Sequence, residues 1–169
     1  MFYKTYFLSF VAFFAFSGIF AQSMDENTPV VSNGIEYGYA IKNEQTKSAK
    51  GEEYSRFELT CYATNRSGCT KLYADRVSFL SEETPNLIAT FNCSNANGKR
   101  LTAKSAQVKA RDFYVNSRMS ENGKEVTRSV KAGYIFRNGE SVRNSIIVLV
   151  PLGERPMMSV NSNDLPELR

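Results

Sequence analysis

The chain has 169 residues, with 21 lysines and arginines against 17 aspartates and glutamates, three cysteines, and neither histidine nor tryptophan. Without histidine there is no Ser-His-Asp or Cys-His hydrolase and no His-ligated zinc, haem or copper site. Three cysteines without a Cys-x-x-Cys pair leave no structural zinc site either, so the expectation is a protein with no metal and no cofactor.

Lys4 precedes an apolar run from Tyr6 to Phe20, which stops at Ala21 and the polar Gln22-Ser23-Met24-Asp25-Glu26. A spanning helix needs roughly 20 apolar residues. This shorter run predicts a signal peptide over residues 1–21 and an exported chain, periplasmic or secreted, that does not span the membrane after cleavage. Cleavage after Ser23 is the alternative. The remaining 148 residues suit one domain with one core.

Residues 22–33 are polar and contain Pro29, which predicts a mobile leader before a β-sandwich domain spanning 34–158. Ile35, Tyr37, Tyr39 and Ile41 alternate as a first strand. A polar loop follows from Asn43 to Glu53, and Phe57, Leu59, Cys61 and Ala63 alternate as a second strand. Asn65-Arg66-Ser67-Gly68 turns the chain, and Leu72 to Leu80 reads as a bulged strand or a short helical connection. Leu87, Ala89, Phe91 and Cys93 share an inward parity, and a turn at Asn97-Gly98 leads to a strand around Leu101 and Ala103. A long strand runs from Gln107 to about Met119, and Val126 to Phe136 returns. The continuously apolar Ile146-Ile147-Val148-Leu149-Val150 predicts the centre of a sheet, buried on both faces and ended by Pro151. Residues 159–169 are expected to form a loose tail.

Four Asn-Gly dipeptides, at Asn33, Asn97, Asn122 and Asn138, mark hairpin turns, because both residues tolerate the positive φ of a type I′ turn. No helical periodicity is sustained beyond the signal peptide. About eight strands spaced some ten residues apart predict an all-β fold, an antiparallel immunoglobulin-like β-sandwich without the buried tryptophan of antibody domains.

Export makes one oxidised cysteine pair the expectation. Cys61 and Cys93 lie on the apolar parity of their strands, whereas Cys69 beside Gly68 has more freedom to reach. Cys69 with Cys93 is therefore the expected disulfide, and Cys61 with Cys69 is the rival.

Residues 99–137 hold ten basic and three acidic side chains, an excess found nowhere else in the chain. Lys99, Arg100, Lys104, Lys109, Arg111, Arg128 and Lys131, interleaved with Phe113, Tyr114 and Tyr134, form a candidate face for an anionic partner. The plainer account is that hairpin faces and edges carry charge to stay soluble. For an exported protein the expected partner is an envelope protein, an anionic glycan or another copy, and not nucleic acid. The function this supports is non-enzymatic binding or assembly at the cell envelope, with no catalytic residue. A small glycan hydrolase would instead draw on Glu52, Glu53, Glu82, Glu83 or Asp112, and a carbohydrate-binding module on Tyr37, Tyr39 and Tyr134. Lys104 and Ser105 are adjacent on a strand and face opposite sides, which removes a Ser-Lys dyad. In a eukaryotic chain Asn65-Arg66-Ser67 and Asn92-Cys93-Ser94 would accept glycans, whereas in a bacterial one they are turn residues.

The segments Asn33-Gly34-Ile35-Glu36-Tyr37-Gly38-Tyr39, Gly98-Lys99-Arg100-Leu101-Thr102, Val108-Lys109-Ala110-Arg111-Asp112-Phe113-Tyr114 and Ala132-Gly133-Tyr134-Ile135-Phe136-Arg137-Asn138-Gly139-Glu140 resemble small exported β-sandwich proteins of Bacteroidota, of a flavobacterial kind. So do Val150-Pro151-Leu152-Gly153-Glu154-Arg155-Pro156 and the Phe-rich signal ending in Ala21-Gln22. The resemblance spans most of the mature chain. It implies export and a β-sandwich, and it implies no activity and no site residues.

Overall fold

The computed structural model describes residues 22–49, 51–74, 86–95 and 105–163. The expected signal peptide, the Asn97-Gly98 turn, the strand around Leu101 and Ala103, and residues 164–169 lie outside the described residues, as do Glu82, Glu83, Lys99, Arg100 and Lys104.

Eleven strands follow in order among the described residues, rather than about eight: β1 (Gln22–Met24), β2 (Val30–Ser32), β3 (Ile35–Ala49), β4 (Glu52–Asn65), β5 (Lys71–Ala74), β6 (Leu87–Ser94), β7 (Ala106–Lys109), β8 (Arg111–Glu121), β9 (Lys124–Phe136), β10 (Ser141–Pro151) and β11 (Met157–Ser162). They form three antiparallel sheets, ordered β1-β11-β6-β7, β10-β4-β3-β2 and β5-β9-β8. No helix occurs among the described residues, so none there is long and apolar enough to cross a membrane.

The alternating residues of β3, β4 and β6 point into one core, as their parity requires. Tyr37, Tyr39, Phe57, Leu59, Cys61, Ala63, Ala89, Phe91 and Cys93 are all buried there, joined by Val108, Tyr134, Phe136, Val148 and Met158 from the other strands. Phe57, Phe91 and Phe136 are fully buried, and each contributes about 1.5–3 kcal/mol by leaving water. Small residues at 61, 63, 89 and 106 let β4 lie close against β6 and β7.

Several expectations change. The leader at 22–33 is not loose, because β1 adds to β11, β2 adds to β3, and Met24 is buried in the core. The expected tail is structured as far as Ser162. β11 runs between β1 and β6 in its sheet, with Met158 and Val160 turned inward, so the domain reaches past residue 158. Only two of its three apolar residues, Met158 and Val160, share the inward parity, too few to register as alternation. The polar loop at 43–53 is instead the outer half of a long hairpin, since β3 and β4 stay paired out to Ala49 and Glu52.

Two Asn-Gly pairs behave as expected. Asn33 and Gly34 have φ of 51° and 73°, and Asn122 and Gly123 have 52° and 76°, joining β2 to β3 and β8 to β9. The pair at Asn138 does not close a hairpin. Only Gly139 has positive φ there, and the turn carries the chain from β9 in one sheet to β10 in another.

That crossing rests on Asn65, which is fully buried at the end of β4. Its Nδ2 donates to the carbonyls of Phe136 (2.8 Å) and Cys69 (2.9 Å), and its Oδ1 accepts from the Ser67 amide (3.0 Å) and hydroxyl (2.6 Å). Its backbone amide donates to the Glu140 carbonyl, and its carbonyl accepts from Gly139. A side chain so enclosed is no glycan acceptor in the folded chain.

Candidate functional site: a basic groove where two sheets meet

β7 and β8 are one run of chain that changes partners at Ala110: β7 pairs with β6, and β8 with β9. Asn86 holds the switch from both sides, its carbonyl accepting from the Ala110 amide (2.9 Å) and its Nδ2 donating to the Ala110 carbonyl (3.1 Å). Ala110 faces the core, so its neighbours Lys109 and Arg111 both face outward. Across from them lies the start of β10, and the Asn144 Nδ2 ties the two strands by donating to the Gln107 carbonyl (2.9 Å).

Between the strands is a groove of about 490 Å³, lined by Gln107, Lys109, Arg111, Ser141, Val142, Arg143 and Asn144. Among the described residues, three cations and no carboxylate line it. Arg111 Nε is 2.7 Å from Oε1 of Glu140, whose other oxygen accepts from the Arg137 amide at 2.8 Å. Lys109 and Arg143 form no ion pair among the described residues. The groove thus holds a net positive field beside donors from Asn144 and Ser141, a setting for an anion or a carboxylate-bearing surface.

The other expected cations lie elsewhere. Arg128 and Lys131 sit on the β8–β9 ribbon and are already occupied: Arg128 pairs with Glu121 at 2.7 Å, and Lys131 with Asp112 at 3.2 Å. The Lys131 ammonium also donates to the Tyr134 hydroxyl at 2.9 Å and lies 4.1 Å from that ring's centre. The Tyr134 hydrogen bond, with Asp112 in support, holds Lys131 above the usual lysine range. The basic stretch is therefore divided, with Lys109 and Arg111 in the groove and Arg128 and Lys131 on the ribbon. Arg143, which completes the groove, lies outside the basic stretch and comes beside Lys109 only through the sheet crossing.

The residues of the alternative readings are also placed. Tyr37, Tyr39 and Tyr134 are core side chains at 2–4% exposure, so they build no sugar-stacking platform. Glu52 and Glu53 open β4 at the exposed hairpin end, and Asp112 pairs with Lys131 on β8. None of the three lines the groove.

The expected Cys69–Cys93 disulfide is not formed, and all three thiols are free. Cys69 is exposed at the turn beside the Ser67 hydroxyl, whereas Cys61 and Cys93 point into the core from β4 and β6. Cys69 therefore faces away from either expected partner. Burial pushes the Cys61 thiol up to about 12, with Cys93 nearby adding to the effect, and pushes Cys93 up to about 11. Neither is a thiolate at neutral pH, so neither is a nucleophile. Iodoacetamide at pH 8 should label one thiol in the native chain and all three after denaturation, counted by intact mass. Two or more native adducts would contradict this placement.

No protein-family model matches the chain, and no curated protein or solved structure is detectably similar to it.

Proposed function

We propose that the chain is an exported, non-enzymatic binding module of the cell envelope, built as an immunoglobulin-like β-sandwich, and that it recognises an anionic partner through the Lys109–Arg111–Arg143 groove. The observation that carries this reading is the meeting of three cations, from β7, β8 and β10, in one recess lined by no carboxylate among the described residues. Two of the three, Lys109 and Arg143, have no counter-charge among the described residues, and an anionic glycan or an acidic protein surface supplies one. Sequence features support the setting: the apolar N-terminal run, the absence of histidine, and the likeness to exported proteins of Bacteroidota.

The test is charge reversal, with the right pair chosen. Arg111→Glu would set a second carboxylate against Glu140, whose side chain is only 10% exposed, and would weaken the turn at Arg137. Lys109→Glu with Arg143→Glu instead changes two exposed cations that form no ion pair among the described residues. In cells that make the protein, crosslinking should capture a recurrent envelope component with the wild-type chain. The double variant should lose it while melting at an unchanged temperature. Equal capture by both chains would refute the groove as the recognition site.

A further inference from the structure

We propose that the open edge of β10 is a self-association surface, on which β10 of a second copy pairs antiparallel to form one eight-stranded sheet about a two-fold axis. β10 is the outermost strand of its sheet and pairs with β4 along its whole length, from Ser141 to Pro151. On its other side the start of β10 lies against β7, and Asn144 donates to the Gln107 carbonyl. From Ser145 to Val150 no described strand adds to that edge, so among the described residues its alternate backbone amides and carbonyls have no strand partner on that side.

Edge strands are ordinarily blunted by lysine, proline, a bulge or an inward charge. Ser145-Ile146-Ile147-Val148-Leu149-Val150 contains none of these, and its register with β4 is unbroken. The run has the composition of a strand covered on both faces, which is why its sequence predicts the centre of a sheet. In the single chain only one face is covered. Ile146, Val148 and Val150 are buried at 8%, 2% and 0%, while Ile147 and Leu149 are left 50% and 47% exposed.

Charge selects the occupant. The open stretch carries no ionised side chain to attract a charged strand, so it favours one equally apolar, and the chain's own β10 is such a strand. Antiparallel self-pairing centred on Ile147 sets Ile147 against its own copy and Leu149 against Ser145, within the stretch beyond β7. No charged side chains meet there. The inward residues keep their face, so both cores stay closed. The contact is isologous and does not propagate, because the far edge of the same sheet is the three-residue β2.

Sedimentation velocity of the mature chain across the micromolar range tests this, alongside Ile147→Lys. In one chain a lysine at 147 would face Glu58, its cross-strand neighbour on β4, and leave the fold intact. Across the two-fold axis it would meet its own copy. The expected result is a wild-type dimer and an Ile147→Lys monomer of equal melting temperature, with association weakened about tenfold or more. Leu149→Glu, which would face Arg56 on β4, is the second variant and should weaken association likewise. A monomeric wild-type chain, or variants that fold and dimerise as the wild type does, would overturn the proposal.

Discussion

Asn65→Ala is expected to destabilise the domain by about 3 kcal/mol, lowering its melting temperature by roughly 10 °C. The substitution leaves the Phe136 carbonyl without its Asn65 donor and the Ser67 amide without its Asn65 acceptor around a fully buried position, while the Cys69 carbonyl keeps the Ser67 hydroxyl at 3.2 Å. Each such group costs about 1–3 kcal/mol when stranded. Asn65→Asp is the sharper variant. Its carboxylate would face two carbonyl oxygens, so it disfavours folding when ionised and is tolerated better when protonated and able to donate. Its folded-state pKa is therefore raised, and its destabilisation should be smaller at pH 4 than at pH 8. Thermal unfolding of both variants at the two pH values checks this. A loss with Asn65→Asp that is independent of pH would contradict the geometry.

The second large effect is at Gly34. Its φ of +73° already disfavours a side chain, and a Cβ there would fall 2.6 Å from Cβ and 2.8 Å from Cα of Ser67. Backbone cannot swing aside as a flexible side chain does. Gly34→Ala should cost about 1–2 kcal/mol for the left-handed conformation alone, and more for the clash. Gly123→Ala is the internal control, because it shares the positive φ but would meet nothing within 4 Å. The difference between their melting temperatures isolates the clash. Gly34 accepts from the Arg66 amide, so it belongs to the same knot as Asn65, and the two substitutions should be less than additive when combined. Equal losses at Gly34 and Gly123 would refute the close approach.

These two sites show where sequence is informative. Alternation at Ile35–Ile41, Phe57–Ala63 and Leu87–Cys93 places the core correctly, because a strand's side-chain period is a local property. Two of the tight turns are legible for the same reason, since Asn-Gly fixes local dihedrals. What is not legible is pairing. The composition of Ile146–Val150 is that of a central strand, yet the chain sets it at an edge. Asn138-Gly139 has hairpin chemistry but joins two sheets, because Asn65, about seventy residues earlier, captures the turn. The groove fails to show in sequence on similar grounds. Lys109 and Arg111 stand out by charge, whereas Arg143 becomes their neighbour only after β10 crosses over. The thiols follow the same pattern: turn position alone suggests that Cys69 can reach, and the direction of its side chain decides that it does not.

We propose the groove, rather than the basic ribbon, as the recognition surface. An NMR titration of the 15N-labelled chain with dextran sulfate, using neutral dextran as the blank, tests this. Saturable shifts are expected at Gln107, Lys109, Arg111, Arg143 and Asn144, with Arg118, Lys124 and Arg128 of the β8–β9 ribbon responding weakly. Shifts concentrated on the ribbon, or none beyond the neutral blank, would contradict it.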